Sequence, residues 1–286
     1  MAEAQARVRT VGRPLFVVVT AAWEGYSRRF RTETLADPSV VGALRDVEVL
    51  IVDLDGNPGA LPLLGFPQEA LPALLLYSPS GEAVWRVQSH IGAEEFLRLL
   101  AEARGTLDGV EQALARLAGS PDDPEAHRVL GRAALHAQDP ERAEGHLLHA
   151  ARLAGAGGVE ASFRLVDCAL LTGRNDVALA RIDAAVALDP DNRTGWVDES
   201  LLTRAKLLLA RGETLRAEEE LRALAERFPE QAPEALFYLG VSRLREGDAP
   251  GAKEILSRMV REHPASPRAE EARRICKGLP GEAPGR

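Results

Sequence analysis

The chain has 286 residues, 45% of them hydrophobic, and a formal net charge of -8, which is enough apolar material for two ordinary domain cores. The acidic excess is spread along the whole length and no stripe of Lys and Arg interleaves with aromatics, so nucleic acid is excluded as the main partner. Cys168 and Cys276 lie far apart, a pattern that supplies neither a disulfide framework nor a metal site.

The longest apolar run near the start is Leu15 to Val19, well short of the roughly 20 residues needed to span a bilayer. Met1 to Arg13 is polar, with no hydrophobic signal region and no small-residue cleavage site. With Met1 as the native start, these features predict a cytoplasmic protein without membrane insertion.

Residues 15–20 (LFVVVT) read as a strand buried on both faces, 23–35 (WEGYSRRFRTETL) as a helix and 37–44 as a second short helical turn. Residues 47–53 (VEVLIVD) predict another buried strand, and GNP at 56–58 a turn. Residues 73–77 (ALLLY) give a third strand, SPSGE at 78–82 a hairpin turn and 83–89 an alternating fourth strand. An amphipathic helix over 93–104 closes the unit, and 107–118 reads as a connector helix. This order specifies a small mixed sheet between helices.

That order, with the phrases TAAWEGYSRRF (20–30), TLADPSVVGAL (34–44), LIVDLDGNP (50–58) and ALPALLLYSPSGE (70–82), resembles the thioredoxin domains of DsbD-type reductases over about the first hundred residues. The resemblance implies an α/β thioredoxin-like domain at 1–105. It also places Glu24 and Ser27 where that family carries its two cysteines, and Val18 where many members carry a buried Asp. Catalysis there needs a thiolate at a helix start, its pKa depressed by the helix dipole and backbone amides, and a second thiol to release the mixed disulfide. Glu24 and Ser27 supply neither, so the resemblance implies a redox-inactive domain, no catalytic residue and no enzyme. Glu24 suits a helix N-terminus on electrostatic grounds alone. With no histidine nearby in sequence, Glu24 and Ser27 do not make a hydrolase pair either.

What the resemblance preserves is a peptide-facing surface. Pro72 matches the family's cis-proline, so the Leu71–Pro72 bond is expected to be cis, with its main chain facing substrate; Pro72 could equally just end a loop. Trp23, Tyr26 and Phe66 are expected around the former active site as an exposed apolar patch, though aromatics there also read as ordinary core, which for Phe66 is the favoured reading. The peptide-binding candidates here are Trp23, Tyr26, Leu71 and Pro72.

From about residue 121 the strand signal stops and a period begins. Small residues Ala143, Ala178, Ala217 and Ala252 recur at intervals of 35, 39 and 35. Leu130-Gly131, Leu239-Gly240 and, more weakly, Leu165-Val166 precede them. Ala150, Ala185, Leu224 and Met259 follow at a later position, and Pro190, Pro229 and Pro264 punctuate the ends. This pattern resembles tetratricopeptide repeats, whose period is about 34 residues. It implies an all-α solenoid over 121–286: about four helical pairs, an extra loop at 191–197 and a capping helix at 266–279, reached through a connector at 106–120. In that family the first helix of each pair lines a concave groove. The matching positions are Arg128, Arg132, Phe163, Arg164, Lys206, Phe237, Tyr238 and Arg245. Cations with aromatics suit a peptide bearing acidic and apolar side chains; the same residues also read as a solvated face and an inter-helix core. The asparagine-and-lysine clamp of repeats that bind chaperone tails is not recognisable. His127, His136, His146 and His149 fall in the first repeat and read as surface residues rather than a zinc site. No cofactor is expected.

A redox-inactive thioredoxin-like domain before such repeats is similar in domain order to the chaperedoxins. That likeness implies a protein-binding adaptor or holdase-type chaperone for unfolded clients, with a chaperonin as a further partner. The alternatives are a thiol-disulfide oxidoreductase working through Cys168 or Cys276, and a structural scaffold of a protein assembly.

Overall fold

The computed structural model describes residues 12–64, 66, 70–153 and 155–279. They divide between two compact units, residues 1–172 and 173–286.

In the first unit, β1 (Leu15–Thr20) pairs in parallel with β2 (Glu48–Asp53) and antiparallel with β3 (Ala73–Tyr77). Strand β4 (Ala83–Gln88) pairs antiparallel with β3, so the sheet order is β2-β1-β3-β4. This is the four-stranded mixed sheet that the sequence predicts, and it is consistent with the thioredoxin-like reading. Between β1 and β2 lie α1 (Gly25–Arg29), prolonged by a π-helical turn over Phe30–Thr34, and α2 (Pro38–Ala43). Asp37 caps α2 by accepting from the backbone N–H groups of Ser39 and Val40, and Pro38 fills the first turn, where no donor is needed. A four-residue helix, α3 (Ala60–Leu63), follows β2 where the sequence showed only a turn. The Leu71–Pro72 peptide bond is cis, as expected.

The second strand departs from expectation. It was read as buried, yet Val49 and Ile51 are 42% and 46% exposed. The reason is position: β2 lies at the edge of the sheet, and only its other face, with Leu50 and Val52, packs on the core.

The helices expected at 93–104 and 107–118 are one continuous helix, α4 (Ala93–Gly119). Gly105 and Thr106 weaken it, but the apolar stripe Phe96, Leu100, Ala103, Leu107, Val110, Ala113 runs through them in helical register and is buried throughout. The first half of that stripe packs with Phe16, Val18, Leu74, Leu76 and Trp85 of the sheet. The second half packs with Ala126, Leu130 and Ala133 of α5 (Pro124–His136), and all of these form one apolar cluster. Two clasps reinforce it. Glu111 of α4 accepts from the backbone N–H and hydroxyl of Ser80 at 3.0 and 2.5 Å, and Arg142 of α6 (Pro140–Ala150) pairs with Glu82 of the same hairpin. The expected divisions at 105 and 121 therefore fall inside a unit that also holds α7 (Ala156–Leu171).

The second unit is helical: α8 (Asn175–Leu188), α9 (Val197–Ala210), α10 (Thr214–Arg227), α11 (Ala232–Arg245), α12 (Ala249–Glu262) and α13 (Ala269–Gly278), with α13 packed on α12 as the expected cap. Every small or apolar position of the repeat pattern is interior: Ala143, Ala178, Ala217, Ala252, Ala150, Ala185, Leu224 and Met259 are all buried. The Leu-Gly sites have a steric cause. A Cβ on Gly131 would stand 2.7 Å from Leu147 Cγ, and one on Gly240 would stand 2.5 Å from Leu256 Cγ. The loop after α8 is tied by Asp189, which accepts from the backbone N–H groups of Arg193 and Thr194 at 2.8 and 2.9 Å.

A second periodic position escaped sequence reading. Five residues before each small residue the backbone turns left-handed, at Gly173, Gly212 and Gly247 (φ 69, 78 and 80°), but at Gln138 (φ 52°) in the first repeat. A side chain there costs roughly 1 kcal/mol. Among the described residues, no helix is long and apolar enough to cross a membrane.

Two substitutions and a truncation check this packing by urea denaturation. Gly240→Ala should destabilise by about 1–3 kcal/mol, whereas Gln138→Gly should stabilise by about 0.5–1 kcal/mol. A chain ending at Ser120 should lose on the order of 3 kcal/mol relative to one ending at Thr172, and should bind an apolar dye, because Leu107, Val110 and Ala113 lose their cover.

Candidate functional site

In the first unit, Glu24 is the N-cap of α1, its carboxylate accepting from the backbone N–H groups of Tyr26 at 2.9 Å and Ser27 at 2.5 Å. Desolvation pushes the Glu24 pKa up, but those N–H groups outweigh it and hold the carboxyl below its usual range. The residue thus occupies the helix-start donors that the resemblance assigns to a cysteine thiolate. Ser27 is completely buried beneath it.

Trp23 and Tyr26 are exposed, at 62% and 58%. The Trp23 indole N–H donates to Asp55 at 2.8 Å, and the Tyr26 ring lies 5.8 Å from the His90 ring. Phe66 does not join them. It is 3% exposed, in the core beneath the sheet, with the Arg86 guanidinium 4.9 Å above its ring. Leu71 and Pro72 are buried as well, so their side chains offer no exposed contact.

The expected first-helix residues form two groups, one per unit. In the first unit Arg128, Arg132 and Arg164 converge on Glu160, at 2.8, 3.6 and 3.9 Å. Arg128 also donates to Glu125 at 2.9 Å, and Arg164 lies 3.6 Å from Asp167. In the second unit the Lys206 ammonium stands 4.7 Å above the Tyr238 ring, with no carboxylate partner among the described residues. Arg268, which the sequence did not single out, completes this group. Its guanidinium lies 4.9 Å over Phe237 and 5.9 Å over Tyr238, and it is held by Glu234 at 3.1 Å and Glu271 at 2.9 Å. The signal for it lies in the start of the capping helix (SPRAEEAR), outside the repeats. Arg245 is exposed. Phe163 and Phe237 are buried, which makes them inter-helix core rather than contact residues, because each first helix must pack on both neighbours as well as face solvent.

The histidines were expected on the surface, but His127 is buried. Its Nε2 lies 3.0 Å from the Pro121 carbonyl and its Nδ1 lies 2.8 Å from His146 Nδ1, while its ring stacks on His149 at 4.3 Å. With Nε2–H donating to Pro121, the Nδ1 of His127 accepts from the Nδ1–H of His146. Desolvation first, then the neighbouring His127, Arg142 and His149, push the His146 pKa down to about 4. Among the described residues no group of three or more His, Cys, Asp or Glu could hold a metal ion. Cys168 is buried within α7, and the Cys276 sulfur lies 3.7 Å from the Ser257 hydroxyl.

The tetratricopeptide repeat family model matches residues 98–157, 139–193 and 202–267, together more than half of the chain. Cellulose synthase 2 operon protein C of Komagataeibacter xylinus is 29% identical over 242 residues, a match covering 69% of this chain. This chain spans only 18% of that relative's length. Among solved structures, YrrB, described as a tetratricopeptide repeat protein with an unusual peptide-binding site, matches with a TM-score of 0.50 at 18% identity, over 63% of this chain and 89% of its own. A thioredoxin from Thermus thermophilus matches 37% of this chain and 85% of its own, at 24% identity and a TM-score of 0.33.

Acidification should expose the imidazole cluster. The unfolded chain protonates His146 near 6.5 and the folded chain near 4, so stability is complete above pH 6.5 and declines as pH falls through that window. His136, whose pKa is also lowered, adds with the same sign. The expected loss is roughly 1–3 kcal/mol, read as a falling urea midpoint, and His146→Leu should flatten the profile.

Proposed function

The chain belongs to the tetratricopeptide repeat family, and from that premise we propose that it is a non-catalytic adaptor that holds partner polypeptides on the first-helix faces of its repeats. Tetratricopeptide repeats generally mediate protein or peptide interactions. The observation that carries the reading is the Lys206–Tyr238 pair: a half-buried ammonium held over an aromatic ring with no carboxylate partner among the described residues. Such a pair suits an acidic side chain beside an apolar one. The N-terminal sheet, read as a redox-inactive thioredoxin-like domain, adds a second surface at Trp23 and Tyr26. In this reading Glu24 does structural work as a cap, and no sulfur stands where sulfur would turn over.

The finer form of the proposal is a holdase for unfolded clients, which the chaperedoxin-like domain order supports. A second reading is a scaffold within an assembly, which the likeness to an operon protein of cellulose synthesis favours.

Fluorescence anisotropy with the full chain tests the adaptor. A labelled peptide of alternating Glu and Leu should bind at least about tenfold more tightly than its Lys-Leu counterpart, and Lys206→Glu should abolish that preference. Equal binding of both peptides, or none, refutes the acidic-groove form. Suppression of heat-induced aggregation of a model client by stoichiometric chain supports the holdase form, and unchanged aggregation removes it. Insulin reduction in dithiothreitol should not be accelerated.

A further inference from the structure

Two adjoining cavities flank His136 in the first unit, where α4 passes from the sheet to α5. Both are lined by Glu102, Thr106 and His136. The larger, about 290 Å³, adds Gly105, Gly109, Val129 and Arg132; the other, about 260 Å³, adds Trp85 and Arg86. A volume near 300 Å³ suits a small organic molecule.

The lining carries two cations, Arg86 and Arg132, and one anion, Glu102. Glu102 is occupied by Arg98 at 2.5 Å. Arg132 sits 3.6 Å from Glu160 Oε1, too far for a hydrogen bond, while Arg128 donates to the other oxygen, Oε2, at 2.8 Å. The planar fork of Arg132 therefore keeps the geometry for a carboxylate. Desolvation in the cleft, with Arg132 and Arg164, lowers the His136 pKa and keeps the ring neutral at pH 7, able to donate one N–H.

The two glycines add a steric argument. Glycine inside a helix costs roughly 1 kcal/mol relative to alanine. Neither is demanded by close packing: a Cβ on Gly105 would meet nothing within 4 Å, and one on Gly109 would make an ordinary contact with Val129 at 3.5 Å. What their bare flank preserves is the open cleft.

We propose that this cleft binds a small carboxylate, its oxygens on the Arg132 guanidinium with a hydrogen bond from His136, and its hydrocarbon part against Val129 and the glycine flank of α4. The site is separate from the first-helix face of the second unit and stands or falls independently of it. The carboxylate has two sources, a free organic acid or an acidic side chain of a bound polypeptide.

Calorimetric titration of the full chain with succinate, with its neutral isostere succinamide and with a capped tetrapeptide containing one Glu tests the site. At least one carboxylate should bind saturably, and replacing it by its neutral counterpart (succinamide, or the Gln tetrapeptide) should weaken binding about tenfold or more. Binding of succinate identifies a free acid, and binding of the peptide alone identifies a polypeptide. Arg132→Gln and Gly105→Leu should each remove that binding. Gly105→Leu fills the cleft on an otherwise open helix flank, so its unliganded thermal midpoint should stay level or rise, which separates a filled site from an unfolded one. Absence of saturable binding by either carboxylate, or undiminished binding in both variants, overturns the proposal.

Discussion

Burial of one apolar stripe along α4 is the constraint on which the rest of the first unit depends. The helix runs from Ala93 to Gly119, and its stripe is shared by the sheet at one end and the first repeat at the other, within a single cluster. A hinge between them would have to open that cluster to water, at a cost of about 25 cal/mol for each Å² of apolar surface exposed. The Glu111–Ser80 and Arg142–Glu82 clasps act in the same direction. The α/β domain therefore covers the first repeat within its unit. Terminal repeats need such a cover, because each helical pair buries its apolar face only against a neighbour; within the second unit α13 packs on α12.

Within the repeats, stability and specificity come from size rather than chemistry. Alanines at the crossing points and glycines at the Leu-Gly sites let Leu147 and Leu256 approach closely. Charge is left to the helix surfaces, where most arginines are already paired and contribute little each. That is why one unpaired ammonium over a ring, and one guanidinium held at the long distance from Glu160, stand out as the places where a ligand gains something the chain does not already have.

Much of this was legible in the residues. The strands at 15–20, 73–77 and 83–88, the short helical turn at 37–44, the repeat period and the prolines beyond α8, α10 and α12 all follow from local rules that tertiary packing did not overturn. The continuous α4 was not legible, because Gly105-Thr106 reads as a break and only the burial of Leu107 beside Ala103 shows that the stripe continues. The exposure of Val49 and Ile51 depends on strand order, which VEVLIVD does not encode. Among the candidate contact residues, Arg132 and Arg245 are exposed, while Arg128, Arg164 and Lys206 are half-buried. Phe163 and Phe237 turned inward, because a repeat pattern marks a large apolar position without saying which neighbour it serves, and Phe66, outside the repeats, lies in the core under the sheet. Arg268 and the His127–His146 contact join residues distant in sequence and carry no local signature.

The unbroken α4 also bears on how such a chain can be inherited. Where two modules meet through a flexible tether, recombination can exchange either one and leave the other intact. Here a crossover anywhere within residues 93–119 would hand each descendant half of a helix and half of a core. Sheet and first repeat are thus bound to travel together through a lineage.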